Sequence, residues 1–171
     1  MSRLPTTALV AALALAGCAV EGPPAEQPSF YRSMASPTAE LDAQAAASMI
    51  SGYRQNNGLG AVTVDPTLMR LAQEQASAMA ARDKVDSDAK GAFAKRMQAS
   101  GFDAKVSVEN ISAGYHTLAE AFSGWRDSPP HRANMLKDGV TRIGIAAVYT
   151  PNSKYKVFWA LILAAPQEKK G

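Results

Sequence analysis

The sequence predicts an α+β domain, a three-layer α/β/α sandwich around a small central antiparallel sheet. Three observations lead there. Apolar residues recur at helical spacing between residues 36 and 84. Two strand-like runs near the C-terminus, 142–149 and 155–164, are separated by the turn segment TPNSK. The second run is apolar on both faces, with Val157, Trp159, Leu161 and Leu163 on one and Phe158, Ala160, Ile162 and Ala164 on the other. An antiparallel sheet with one wet face would alternate more cleanly. Both faces must therefore be covered, and helices are the cover this chain has.

The elements follow in order. Ser36-Pro37 reads as an N-cap with proline at the first helical position. Leu41, Ala45, Met49 and Tyr53 then form one apolar stripe, and NNGLG ends that helix. AVTVD, residues 61–65, is a short extended piece. Asp65-Pro66 repeats the cap-and-proline signal and opens a second amphipathic helix to about Lys84, carrying Leu68, Leu71, Ala72 and Met79. VDSDAKG is a polar loop, and a short third helix with Phe93 and Met97 stops at Gly101. A strand with Glu109 comes next. Thr117 and Glu120 have capping-box spacing and open a helix with Leu118, Phe122 and Trp125 on one face. Ser128-Pro129-Pro130 starts another short helix, with His131 in its first turn.

The composition suits one globular domain plus a tail. The chain has 171 residues, 47% hydrophobic and 19% charged. Its net charge of +3 comes from 18 basic and 15 acidic residues scattered without an aromatic-interleaved stripe, which argues against a nucleic-acid partner. Residues 1–17 read as a signal peptide: Arg3, an apolar run from Ala8 to Ala16, then small residues before Cys18. Such a run is too short to span a bilayer as a permanent helix. LAGC, residues 15–18, resembles a bacterial lipobox, and Cys18 is the only cysteine of the chain. The resemblance implies a palmitate-bearing lipoprotein anchored to the membrane through Cys18. Ala19, in place of Asp, implies outer-membrane sorting, with the domain in the periplasm or at the cell surface. Residues 18–35 read as the lipidated cysteine and a proline-rich tether, of which 19–35 reach roughly 55 Å at most when extended at about 3.3 Å per residue. The folded domain is placed at 36–166 and a tail at 167–171.

ENISAG at 109–114, WRDSPPHRANM at 125–135, IGIA at 143–146 and the closing aromatic strand resemble the bacterial branch of the CAP superfamily. This group comprises cysteine-rich secretory proteins, antigen 5 and pathogenesis-related 1, and is also called SCP-like. The resemblance covers about residues 44–164 and implies an α/β/α sandwich. It further implies a cleft of two histidines and one or two acids that can hold a divalent cation such as Zn²⁺. The acid maps onto Glu109 and one histidine onto His131. The other histidine position falls at Ser87, with Asp86 and Asp88 beside it as substitute ligands. A second acid of eukaryotic members falls at Ser128.

A zinc site that does chemistry needs about three protein ligands and an open position. Glu109 and His131 supply two, so any cation is expected to bind weakly. Two bland readings stand beside the site: Glu109 as a buried acid satisfying backbone N–H groups, and His131 as a helix-start histidine hydrogen-bonded to it. His116 reads as an exposed loop residue. No catalytic residue is assigned, since there is no second cysteine and no G-x-S-x-G elbow. Three functions are open: a non-enzymatic envelope lipoprotein whose cleft binds a lipid, glycan or protein; a metal-dependent, peptidase-like hydrolase of envelope material; and a tethered spacer. The reduced ligand set favours the first.

Overall fold

A computed structural model describes residues 27–167. The signal peptide, Cys18, the first part of the tether and residues 168–171 of the tail lie outside the described residues. In chain order the elements are α1 (Ala43–Gln55), β1 (Thr63–Val64), α2 (Pro66–Arg82), α3 (Phe93–Ala99), β2 (Ala104–Ala113), α4 (Leu118–Asp127), α5 (Pro129–Met135), β3 (Arg142–Tyr149) and β4 (Val157–Pro166).

The sheet order is β1-β3-β4-β2. β4 runs antiparallel to both β3 and β2, so it is interior, and Val157 through Ala165 are all buried. That accounts for its double apolar pattern. The small antiparallel sheet gains a parallel strand at one edge. Two-residue β1 pairs parallel to β3, with Thr63 opposite Arg142 and Val64 opposite Ile143. The AVTVD segment thus enters the sheet beside the hairpin, not across from it.

Two cores flank the sheet. One holds Ile50, Leu118, Trp125, Met135, Ile145, Trp159 and Leu161, from α1, α4, α5 and one sheet face. The other holds Leu68, Leu71, Met79, Met97, Phe158, Ala160 and Ile162, from α2, α3 and the opposite face. The backbone of α2 lies directly on β3. A Cβ at Gly144 would come within 2.1 Å of the Leu68 carbonyl carbon, so only glycine fits there.

The caps explain where the helices start. Asp65 accepts from Thr67 N and Leu68 N ahead of Pro66, as its sequence pattern implies. Thr117 and Glu120 form the full capping box. The start of α1 differs from expectation. Ser36 closes a turn with Ala39, and the helix begins at Ala43, where Asp42 accepts from Ala45 N at 2.9 Å. A carboxylate six residues on outcompetes the serine. Ser128 occupies the N-cap of α5, but its side chain makes no capping bond.

The expected tether is also shorter than 18–35. Residues Ser29–Tyr31 form a 3-10 turn, and Ser29 donates to Asp42 Oδ2 at 2.8 Å. Met34 is buried, and its N–H donates to His116 O at 2.6 Å. Phe30 and Met34 supply apolar surface that is better buried than solvated, which docks this stretch on α1 and α4.

Candidate functional site

Strand alternation decides how the site is assembled. Successive residues on β2 face opposite layers. Glu109 lies opposite Ile162, in the core under α2 and α3, and Asn110 lies opposite Leu161, in the core under α4 and α5. Glu109 therefore directs its carboxylate to the α2/α3 side, away from the layer that contains α5 and His131.

There it meets Arg96 of α3. Nη2 of Arg96 donates to both carboxylate oxygens at 2.8 Å. The two side chains are only 6% and 7% exposed. Nε of Arg96 donates to Gly91 O at 2.9 Å, its guanidinium lies 5.3 Å above the Phe93 ring, and Nη1 is buried without a partner among the described residues. Burial pushes the Glu109 carboxyl above its ordinary range. Arg96 opposes this by hydrogen bond and charge, and nearby Asp88 adds to the upward shift.

The loop with the substitute ligands is on the same side. Gln75, fully buried on α2, donates to the carbonyls of Asp86 at 2.8 Å and Ser87 at 3.3 Å and accepts from Lys90 N at 3.3 Å. Asp86 Oδ1 accepts from Asp88 N at 3.0 Å, a local turn bond. The Ser87 side chain is exposed.

His131 is tied to β2 by its backbone. Asn110 Nδ2 donates to His131 O, and Asn134 Nδ2 donates to Glu109 O and to Asn110 Oδ1, each at 2.9 Å. The two amides stitch α5 to the edge strand. The His131 ring is half-buried and makes no hydrogen bond among the described residues. Burial lowers its pKa and favours the neutral imidazole. The expected Glu109–His131 hydrogen bond is thus replaced by two separate attachments, Glu109 to Arg96 and His131 through the asparagines. His116 is an exposed loop residue whose N–H donates to Glu120 Oε2 at 2.6 Å.

These residues do not fit the divalent cation the resemblance implies. Among the described residues no three His, Cys, Asp or Glu side chains gather as a ligand set. The Arg96 guanidinium already supplies the positive charge at both Glu109 oxygens. A metal there would have to displace a buried arginine or sit beside it.

Three residues that build this region carried no mark in the sequence. Arg96 lies between Phe93 and Met97, the two apolar markers of α3, so it was placed to be buried. Asn134 stands three residues after His131 in the motif that carried the resemblance. Arg54, 1% exposed on α1, donates to Gly60 O, Met135 O, Lys137 O and Val140 O. It pins the end of α5 where cations are favoured. A single arginine at the end of an amphipathic helix gave no sign of this.

Comparison with known proteins agrees with this architecture. The family model described as "CAP: Cysteine-rich secretory protein family" matches residues 47–163. An uncharacterised protein of Bacillus subtilis (strain 168), YkwD, is 30% identical over 102 residues, which are 58% of this chain and 40% of that protein. An outer surface protein from Borrelia burgdorferi superposes with a TM-score of 0.66 at 17% identity, over 75% of this chain and 98% of that one. An extracellular protein containing a SCP domain from Bacillus anthracis str. Ames gives 0.61 at 21%, over 71% of this chain and 39% of that one. At these identities the two structures show the fold alone.

Proposed function

Since the chain belongs to the cysteine-rich secretory protein (CAP) family, we propose that it is a lipid-anchored binding module of the cell envelope and not a hydrolase. One observation carries the non-enzymatic reading. Glu109, the acid at the family's cleft position, is neutralised by Arg96 in a buried pair and faces away from the layer of His131. A general base must be free to take a proton from substrate or water. Both Glu109 oxygens are occupied by Arg96 on the α2/α3 side, so Glu109 is not free to do so beside His131.

The anchoring part rests on LAGC and the single thiol at Cys18, with Ala19 favouring the outer membrane. One protein of similar fold is an outer surface protein and another an extracellular protein, in keeping with an envelope location. More than one acyl chain is needed for stable anchoring, which a triacylated cysteine provides.

Two measurements test this. Radiolabelled palmitate is expected in the wild type and not in Cys18→Ser, and equal labelling overturns the anchor. The full chain is expected to leave casein and a nitrophenyl ester unhydrolysed. Turnover that disappears in Glu109→Gln overturns the non-enzymatic reading and restores the metal-dependent hydrolase.

A further inference from the structure

We infer that the groove between α2 and α3 is a binding site for a phosphate group, free or carried on a lipid headgroup. This rests on the binding-module reading and deepens it. The groove encloses about 400 Å³ and is lined by Arg70, Leu71 and Glu74 of α2, by Lys90 and Gly91 of the loop, and by Lys95, Arg96, Ala99 and Ser100 at α3. Its charge is unbalanced. Arg70 is paired with Glu74 at 2.9 Å and Arg96 with Glu109 at 2.8 Å. Lys90 and Lys95 have no carboxylate within ion-pair distance among the described residues. Four cations against Glu74, Glu109 and the nearby Asp88 leave the groove net positive. A phosphate group, anionic at neutral pH, is the kind of charge such a groove attracts.

A second, independent feature points the same way. Arg96 is 7% exposed and lines the groove from its inner side. Its Nε is committed to Gly91 O and its Nη2 to Glu109, while Nη1 is buried with no partner among the described residues. A buried donor of a charged group left unpaired is costly, and native structures rarely keep one without a reason. Guanidinium N–H groups and phosphate oxygens form strong charge-assisted bonds. Leu71 and Ala99 add an apolar wall, so the group that enters can carry some hydrocarbon.

The test uses the full chain in a non-ionic detergent, titrated calorimetrically with inorganic phosphate, dihexanoyl phosphatidic acid and dihexanoyl phosphatidylcholine. At least one of the first two is expected to bind tenfold or more tighter than phosphatidylcholine. Affinity for it should fall about tenfold in Lys90→Gln/Lys95→Gln, whose sites are exposed and do not support the fold, and should weaken with added salt. Binding by inorganic phosphate as tight as by phosphatidic acid assigns a free phosphate, and tighter binding by the lipid assigns a headgroup; either supports the site. Arg96→Lys, which keeps the charge but loses the fork, should also weaken binding. Equal affinity for all three compounds, or none for any, or an unchanged double variant, overturns the groove. Release of phosphate from phosphatidic acid during the titration instead overturns the non-enzymatic reading while leaving the groove intact.

Discussion

Arg96 reaches across from α3 to β2 and places one amino group 2.8 Å from each carboxylate oxygen of Glu109, with both side chains more than nine-tenths buried. The residue that resembles a metal ligand is therefore half of a structural ion pair. Its energetics follow from burial. Breaking such a pair strands a charge in a low dielectric, whereas replacing both members with apolar groups does not.

Glu109→Ala is accordingly expected to cost about 3–5 kcal/mol, the usual penalty for removing one member of a buried pair. Arg96→Met/Glu109→Leu should lie much closer to wild type. Chemical denaturation of the three proteins checks this. A single variant as stable as the wild type would show that Arg96 is solvated after all.

The two titrating groups give opposite pH slopes. The Glu109 carboxyl is raised from its ordinary 4.5 by burial. The folded state then holds its proton longer than the unfolded chain does. Its contribution is complete below that ordinary value and is lost as pH rises toward the raised one. The His131 pKa is lowered from 6.5, also by burial. Its contribution is complete above 6.5 and is lost as pH falls below it. Glu109→Gln should remove the first slope and His131→Gln the second, read from urea midpoints between about pH 4 and 8. A slope that survives its own variant belongs to another group.

Asn134→Ala should destabilise the domain by about 1–3 kcal/mol, because Asn110, 1% exposed, is left with an unpaired carbonyl oxygen. The loss should be local as well as global. Amide exchange across α5 is expected to quicken more than across α2, and uniform protection would contradict the stitching role.

Ser87→His should add nothing to zinc affinity. The introduced imidazole would stand on an exposed loop whose nearest family acid is held by Arg96. Calorimetry with His116→Ala in both proteins, to remove a stray ligand, is expected to give matching isotherms. Tenfold tighter binding by Ser87→His, about 1.4 kcal/mol, would mean that Glu109 can leave its arginine.

What the sequence determined by itself was most of what local spacing carries, the expected cap at Ser36 excepted, since α1 starts from Asp42. The caps at Asp65 and Thr117, the stop at Gly101 and the hairpin around TPNSK each depend on residues within one turn of one another. The double apolar pattern of 157–164 likewise announced an interior strand covered on both sides. Tertiary structure decided which side chains meet. On a strand, neighbours face opposite layers, so a shift of one residue exchanges the partners of Glu109 and Asn110. That phase is set by the unbroken pairing of Val106 to Ala113 with β4. The Arg96–Glu109 pair joins residues 13 apart in different elements. No periodicity links them, and only the packing of α3 on the sheet brings the guanidinium to the acid.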